Sequence, residues 1–333
     1  MSLRSIPILC YHDVGTPGGH PAELFEAHLA QIQRHGWRTL TCSELLDIIQ
    51  GTRPVPERAL MLTFDDCHAS MWSQVAPRLC RFKFHGIFFA ITDFLGKGPV
   101  RHPAQMPPPT KISQALRLAL RQRDYSHFLR ASEVRAMVDM GFEVHNHTAR
   151  HQGCFIRPEV QGQLKDGAHW ALEGIYPYPD PRFPVLPVGS AYAYDGFWPQ
   201  LREGAVEFVR RSPEERLRFC LEDLTRSRQR IAELTGATAV WLCWPWGHFD
   251  ALSTRAAHES GHVGAFTLER GPNAPGTDPF RVHRIGVGRT KGVGWLSWRL
   301  RMHATSLGAR LFGKHFRKPG DAPDGLPITV ELS

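Results

Sequence analysis

The chain has 333 residues, 42% hydrophobic and 22% charged, and a formal net charge of +8. This is ordinary globular composition with enough length for one large domain and a sizeable core. The basic charge comes without a nucleic-acid-binding motif, so no nucleic-acid partner is expected. Seven scattered cysteines with no C-x-x-C spacing argue against both a disulfide framework and a zinc knuckle.

Strand and helix signals alternate along the chain. Ile6 to Tyr11 reads as a strand and Leu24 to His35 as a helix stopped by Gly36. Trp37 to Leu40 is a short strand. Thr41 and Glu44 form a capping box for a helix ending at Gly51. Leu60 to Phe64 is an apolar run of buried-strand length that delivers Asp65 and Asp66 to its C-terminal end. Ile87 to Ile91 is the next strand, followed by a helix over Ser132 to Met140. Phe142 to Asn146 is a strand delivering His147. Ser212-Pro213-Glu214-Glu215 opens the clearest helix, with Ser as N-cap and Pro at the first position, and Gly236 stops it. Ala239 to Cys243, Val263 to Leu268 and Val282 to Val287 complete the strands. This alternation predicts a parallel sheet curled into an α/β barrel, with functional groups at the C-terminal strand ends. Two long stretches interrupt it, about 95–130 and 153–211. The second is rich in Tyr and Trp and is expected to form ordered walls near the site.

Two motifs carry the chemistry. Thr63-Phe64-Asp65-Asp66 pairs adjacent carboxylates, and His147-Thr148-Ala149-Arg150-His151 places two imidazoles at His-x-x-x-His spacing. One oxygen and two nitrogen ligands leave room for water on a hydrolytic metal ion. Asp66, His147 and His151 are the candidate ligands. Asp65, its side chain pointing elsewhere on an extended segment, is free to take a proton. The bland alternative is an acidic turn and two surface histidines. The ligand set suits Zn²⁺, and also Co²⁺ or Ni²⁺.

These residues resemble the NodB-homology polysaccharide deacetylases, a family of carbohydrate esterases that are metal-dependent de-N-acetylases. Thr63-Phe64-Asp65-Asp66-Cys67 is similar to their T-F-D-D-G motif, and Gly141 to His151 to their G-x-E-[IV]-x-[NS]-H-[ST]-x-x-H motif. Tyr11-His12-Asp13-Val14 and Trp244-Pro245-Trp246-Gly247 look most like the branch that acts on poly-β-1,6-N-acetylglucosamine. The resemblance implies a distorted, incomplete (β/α) barrel with long loop insertions over residues 1–290, and an N-acetylated glycan or lipid-linked glycan as substrate. By it Asp65 is the general base acting on a metal-bound water, and the backbone N–H near Trp246 serves the oxyanion. His283, the nearest match to a late L-x-H segment, is the candidate general acid. The family's base-orienting Arg falls at about Cys243 and is missing, which leaves Arg284 or Arg281 as candidate substitutes. His12, Cys67, His145 and Trp244 are expected to line or support the site, Cys67 replacing the motif glycine. A sugar-binding protein that has lost catalysis, and a hydrolase of another acyl amide or ester, are the alternatives.

Residues 291–333 read as a basic amphipathic tail. From Trp295 to Lys318, aromatic and aliphatic residues alternate with cations and no acid intervenes, the composition of a helix lying on an anionic membrane. A helix packed on the domain is the alternative. No segment approaches the roughly 20 apolar residues of a spanning helix. Ile6 to Tyr11 is too short for a signal peptide, so a cytoplasmic place, peripheral to the inner membrane face, is expected. Oligomeric state leaves no trace in the sequence.

Overall fold

The computed structural model describes residues 3–164, 168–315 and 328–332. Its apolar runs become one sheet of eight strands among these residues, every pairing parallel. The order across it is Ala265–Phe266, Leu242–Cys243, Glu143–Asn146, Ile87–Ala90, Ala59–Phe64, Ile8–Tyr11 and Ile285–Gly286, with Arg38–Thr39 also paired to Ala59–Phe64. The sheet curls until its edges approach. Val282 exchanges hydrogen bonds with the Ala265 to Thr267 edge at 3.0 and 2.9 Å, and three residues later Ile285 pairs with Leu9 at the other edge. One segment thus spans the gap, and the result is a curled parallel sheet, as the alternation predicted, left incomplete as the resemblance implied.

Both faces of this sheet are covered, which is why its strands read as continuous apolar runs rather than alternating ones. Leu9, Leu60, Leu62, Phe64 and Phe88 face outward against helical residues such as Phe25, Leu29, Leu79 and Ile231. Ile8, Met61, Phe89, Trp241, Cys243 and Phe266 fill the other side, together with the helix Cys42–Ile49. The capping boxes at Thr41 and Ser212 form as expected, and Ser212 starts the helix Pro213–Thr235.

The stretch 153–211 departs from the expected loop wall. Gly153–Phe155, Val188–Ser190, Phe197–Arg202 and Ala205–Arg210 join Ile328–Glu331 in a second, antiparallel sheet. Tyr176, Tyr192, Tyr194 and Phe197 are buried in its packing. Their apolar area stabilises this subsidiary core, so they are not free to meet a ligand.

The tail is also different from a single surface helix. It forms two helices, Val293–His303 and Ser306–Leu311. Leu296 and Leu300 insert into the main core, and the amide of Ser306 bonds to Leu3 O. Leu307 and Leu311 stay 70% and 73% exposed, and Trp298 42%. Residues 316–318 of the expected membrane segment lie outside the described residues. Among those described, no helix is long and apolar enough to cross a membrane.

Candidate metal centre

Three loops at the C-terminal strand ends converge. Ala59–Phe64 ends in Asp65 and Asp66, and Glu143–Asn146 ends in His147 with His151 one turn on. Leu242–Cys243 runs into the Trp244 to Gly247 turn. Of eight non-glycine residues with left-handed backbone among those described, five are here: Asp66, Cys67, Thr148, His151 and Trp246, with φ between 50° and 68°. Such conformations cost free energy and persist where the surroundings dictate them, and they gather at functional sites. The surroundings here are explicit. Thr92 and Asp93 amides bond to Thr148 and Ala149 carbonyls, Asp223 accepts the Ala149 amide at 3.0 Å, and Ser227 takes a bond from Asn146 Nδ2. The helix Pro213–Thr235 therefore pins the loop that carries both imidazoles. Gly247 is required sterically, since a Cβ there would lie 2.6 Å from Leu268 Cβ.

Asp66 Oδ1 lies 3.4 Å from His147 Nε2 and 4.0 Å from His151 Nε2. One ligand atom from each residue lies within 4.8 Å of the others, and all three residues are buried. His147 donates Nδ1–H to Cys243 O at 2.9 Å, which turns Nε2 toward Asp66. Burial alone would lower the His147 pKa. The facing Cys243 and Asp66 outweigh it and raise it well above the ordinary value, so this position favours positive charge. Burial and the neighbouring His147 push His151 down to about 3, keeping it neutral and able to ligate. Donor type, spacing and charge preference all fit a divalent cation.

Asp65 is held apart from this set. Arg284 Nη1 donates to Asp65 Oδ1 at 2.6 Å and Nη2 to Oδ2 at 2.9 Å, a bidentate clamp between residues 1% and 2% exposed. The thiols of Cys10 and Cys243 each lie 3.5 Å from Oδ2. Burial raises the carboxyl pKa, but the charges of Arg284, His147 and His12 hold it well below the usual carboxylate range. An arginine thus reaches Asp65 from position 284, just before the strand 285–286, and not from position 243. Arg281 turns to Glu269 and takes no part.

The remaining candidates divide. His12 is half-exposed, with Nε2 3.9 Å from Asp65 Oδ2. His283, next to Arg284 on an extended segment, points the other way. Its ring lies under Gly271, and its charged neighbours are Glu269 and Arg281. It is too remote to serve the site. Trp244 is buried against Tyr192, Leu224 and Ala256, not at the site. Cys67 packs into the main core while adopting the left-handed conformation a glycine would take more readily, and it is no member of the ligand group. His145 sits below His147 beside Phe89, with Nδ1 3.4 Å from the Trp241 amide, and touches none of the ligands.

Trp246 stands beside the candidate ligands, its ring edge-on to His151 at 4.4 Å. Trp170 stacks on it at 5.6 Å and also touches His151. Trp170 stands outside both motifs but within the aromatic stretch 153–211 expected to wall the site, and it does so where the buried tyrosines do not. Cys10, also outside both motifs, was missed.

The profile of the family described as "Polysaccharide deacetylase" matches residues 52–196. A poly-beta-1,6-N-acetyl-D-glucosamine N-deacetylase of Escherichia coli (strain K12) is 24% identical over 245 residues, 73% of this chain and 30% of that protein. The chain spans less than half the length of the curated relatives it matches. Among solved structures, a de-N-acetylase from Aggregatibacter actinomycetemcomitans superposes with a TM-score of 0.60 at 19% identity, covering 89% of this chain and 99% of that one. The BpsB deacetylase domain from Bordetella bronchiseptica gives 0.59 at 20% identity, covering 86% and 97%. These likenesses extend the shared fold well beyond the segment, residues 52–196, over which the chain is similar to the polysaccharide deacetylase family.

Proposed function

We propose that this protein is a metal-dependent de-N-acetylase of an N-acetylated polysaccharide, hydrolysing the acetamide to acetate and a free amine. The observation that carries this reading is the division between adjacent carboxylates: Asp66 faces two imidazoles, while Asp65 is clamped by Arg284 outside that group.

Asp66, His147 and His151 would hold one divalent ion, Zn²⁺ or alternatively Co²⁺ or Ni²⁺, which would supply Lewis acidity toward the acyl oxygen and toward water. Asp65 takes the proton of the attacking water. Arg284 keeps its carboxylate ionised and fixes its direction, so position compensates for weak basicity. His12, at the mouth of the site, donates a proton to the departing amine in place of His283. The N–H of Trp246, on its left-handed turn beside His151, donates to the oxyanion. The Trp170 and Trp246 rings wall the centre and offer an apolar face to a sugar ring. Retention of Asp65 and all three ligands disfavours a decayed, sugar-binding role.

The named activity of the Escherichia coli relative makes β-1,6-linked N-acetylglucosamine oligomers the first substrate to test. Wild-type protein loaded with Zn²⁺ should release acetate from them, and Asp65→Asn should bind the same metal but release none. Equal release by Asp65→Asn would overturn the assignment of the base. We also propose that exposed Leu307, Leu311 and Trp298, amid the cations of an acid-free stretch from Lys291 to His315, rest on an anionic membrane.

A further inference from the structure

The strand that ends in His147 carries a second group of ligand-type side chains lower down. Glu143 and His145 share a face of it, since side chains two apart on a strand point the same way. Cys42, the first residue of the helix Cys42–Ile49, meets them there. One ligand atom each of Cys42, Glu143 and His145 lies within 4.8 Å of the others. His85 adds Nε2 at 3.2 Å from Glu143 Oε2, its own backbone held by a bond from its N–H to Thr39 Oγ1. Two separate segments therefore bring a thiol, a carboxylate and an imidazole to one place, and a third sets a second imidazole beside the carboxylate.

Part of this group has a structural explanation. Glu143 accepts the Cys42 amide at 2.9 Å and so caps the helix. That role accounts for Glu143 and leaves His145 unexplained. His145 is 4% exposed, its Nε2 has no hydrogen-bond partner, and Nδ1 has only a 3.4 Å contact, at the long limit for such a bond. A buried nitrogen left unpaired is costly, and a histidine so placed beside a thiol and a carboxylate invites a cation.

We propose that Cys42, Glu143 and His145, with His85 as fourth ligand, form a second metal site, for a thiolate-preferring divalent ion of the Zn²⁺ class. The site is independent of the Asp66, His147 and His151 centre, from which it is separated by about 7 Å of strand between His145 and His147. On binding, Cys42 gives up its thiol proton to solvent and the ion forms a bond to sulfur, while His145 ligates as the neutral ring. The ion would tie the start of the helix Cys42–Ile49 to the sheet, so its role is structural.

Cobalt(II) is the probe, because thiolate ligation produces a charge-transfer absorption that oxygen and nitrogen ligands lack. Asp66→Ala protein, its first centre removed, should bind one Co²⁺ per chain with that absorption, and should melt at higher temperature with Zn²⁺ than without. Adding Cys42→Ser or His145→Gln should abolish both effects. Wild type should take up two ions, and Cys42→Ser alone one, with the absorption gone. This single variant keeps the test valid if Asp66→Ala fails to fold. One ion in wild type with no thiolate absorption, or an absorption that survives Cys42→Ser, would overturn the proposal. Survival would place the signal at Cys10 or Cys243.

Discussion

Replacing Arg284 with Gln removes the one full positive charge bonded to Asp65 and leaves a shorter, neutral polar side chain. Two charge-assisted bonds of 2.6 and 2.9 Å between nearly inaccessible groups are lost, and the carboxylate stays buried. Deleting one partner of such a pair costs about 3–5 kcal/mol. At about 2–3 °C per kcal/mol for a chain of this size, the melting temperature should fall by about 6–15 °C. The pH dependence fixes the mechanism. In the wild type the Asp65 pKa is depressed, so its contribution to stability is present above the unfolded value of about 3.9 and is lost only as pH falls through the folded one. In the variant burial dominates and raises it, so Asp65 costs stability above about pH 4. The gap between the two proteins should therefore widen from pH 4 to 7, and the acid limb of kcat/KM should move to higher pH. Melting curves at several pH values and a pH–rate profile measure both. Asp65→Asn/Arg284→Gln should regain part of the stability without activity. A pH-independent gap together with an unmoved acid limb would refute the clamp.

Three further outcomes follow from the same geometry. His12→Ala should lower kcat about 10²–10⁴-fold, the usual worth of a general acid, with metal content unchanged, while His283→Ala should leave kcat within a few-fold; steady-state kinetics and metal analysis separate them. Trp246→Ala should raise KM for oligomers more than it lowers kcat, and Trp246→Tyr should stay close to wild type, because the turn contributes through its backbone. Leu307→Asp/Leu311→Asp should abolish co-sedimentation with vesicles containing phosphatidylserine; wild-type protein that ignores those vesicles would sink the membrane proposal.

The barrel and the convergence of the candidate metal ligands were legible because each depends on local pattern. Buried strands of a two-sided sheet are continuous apolar runs, and both motifs end such runs, so Asp65, Asp66, His147 and His151 had to come out on the same rim. Arg284 was open only as a choice between two arginines. Its selection rests on alternation along the short extended segment just before Ile285–Gly286, which places Arg284 inward and His283 outward, and no composition reveals that parity. The aromatic run near Tyr192 was legible as ordered but not as buried, because a stacking wall and a small core use the same residues. In the tail, Leu296 and Leu300 face the core while Leu307 and Leu311 do not, a split set by the break at Ala304 and Thr305 between two helices.

The account rests on one ion held by Asp66, His147 and His151 serving deacetylation, and acetate release under controlled metal content tests it most directly. Chelated protein should release no acetate from N-acetylglucosamine oligomers, Zn²⁺ should restore release in the wild type, and no added metal should restore it in Asp66→Ala. Release that is indifferent to chelation, or Asp66→Ala as active as wild type, would contradict it.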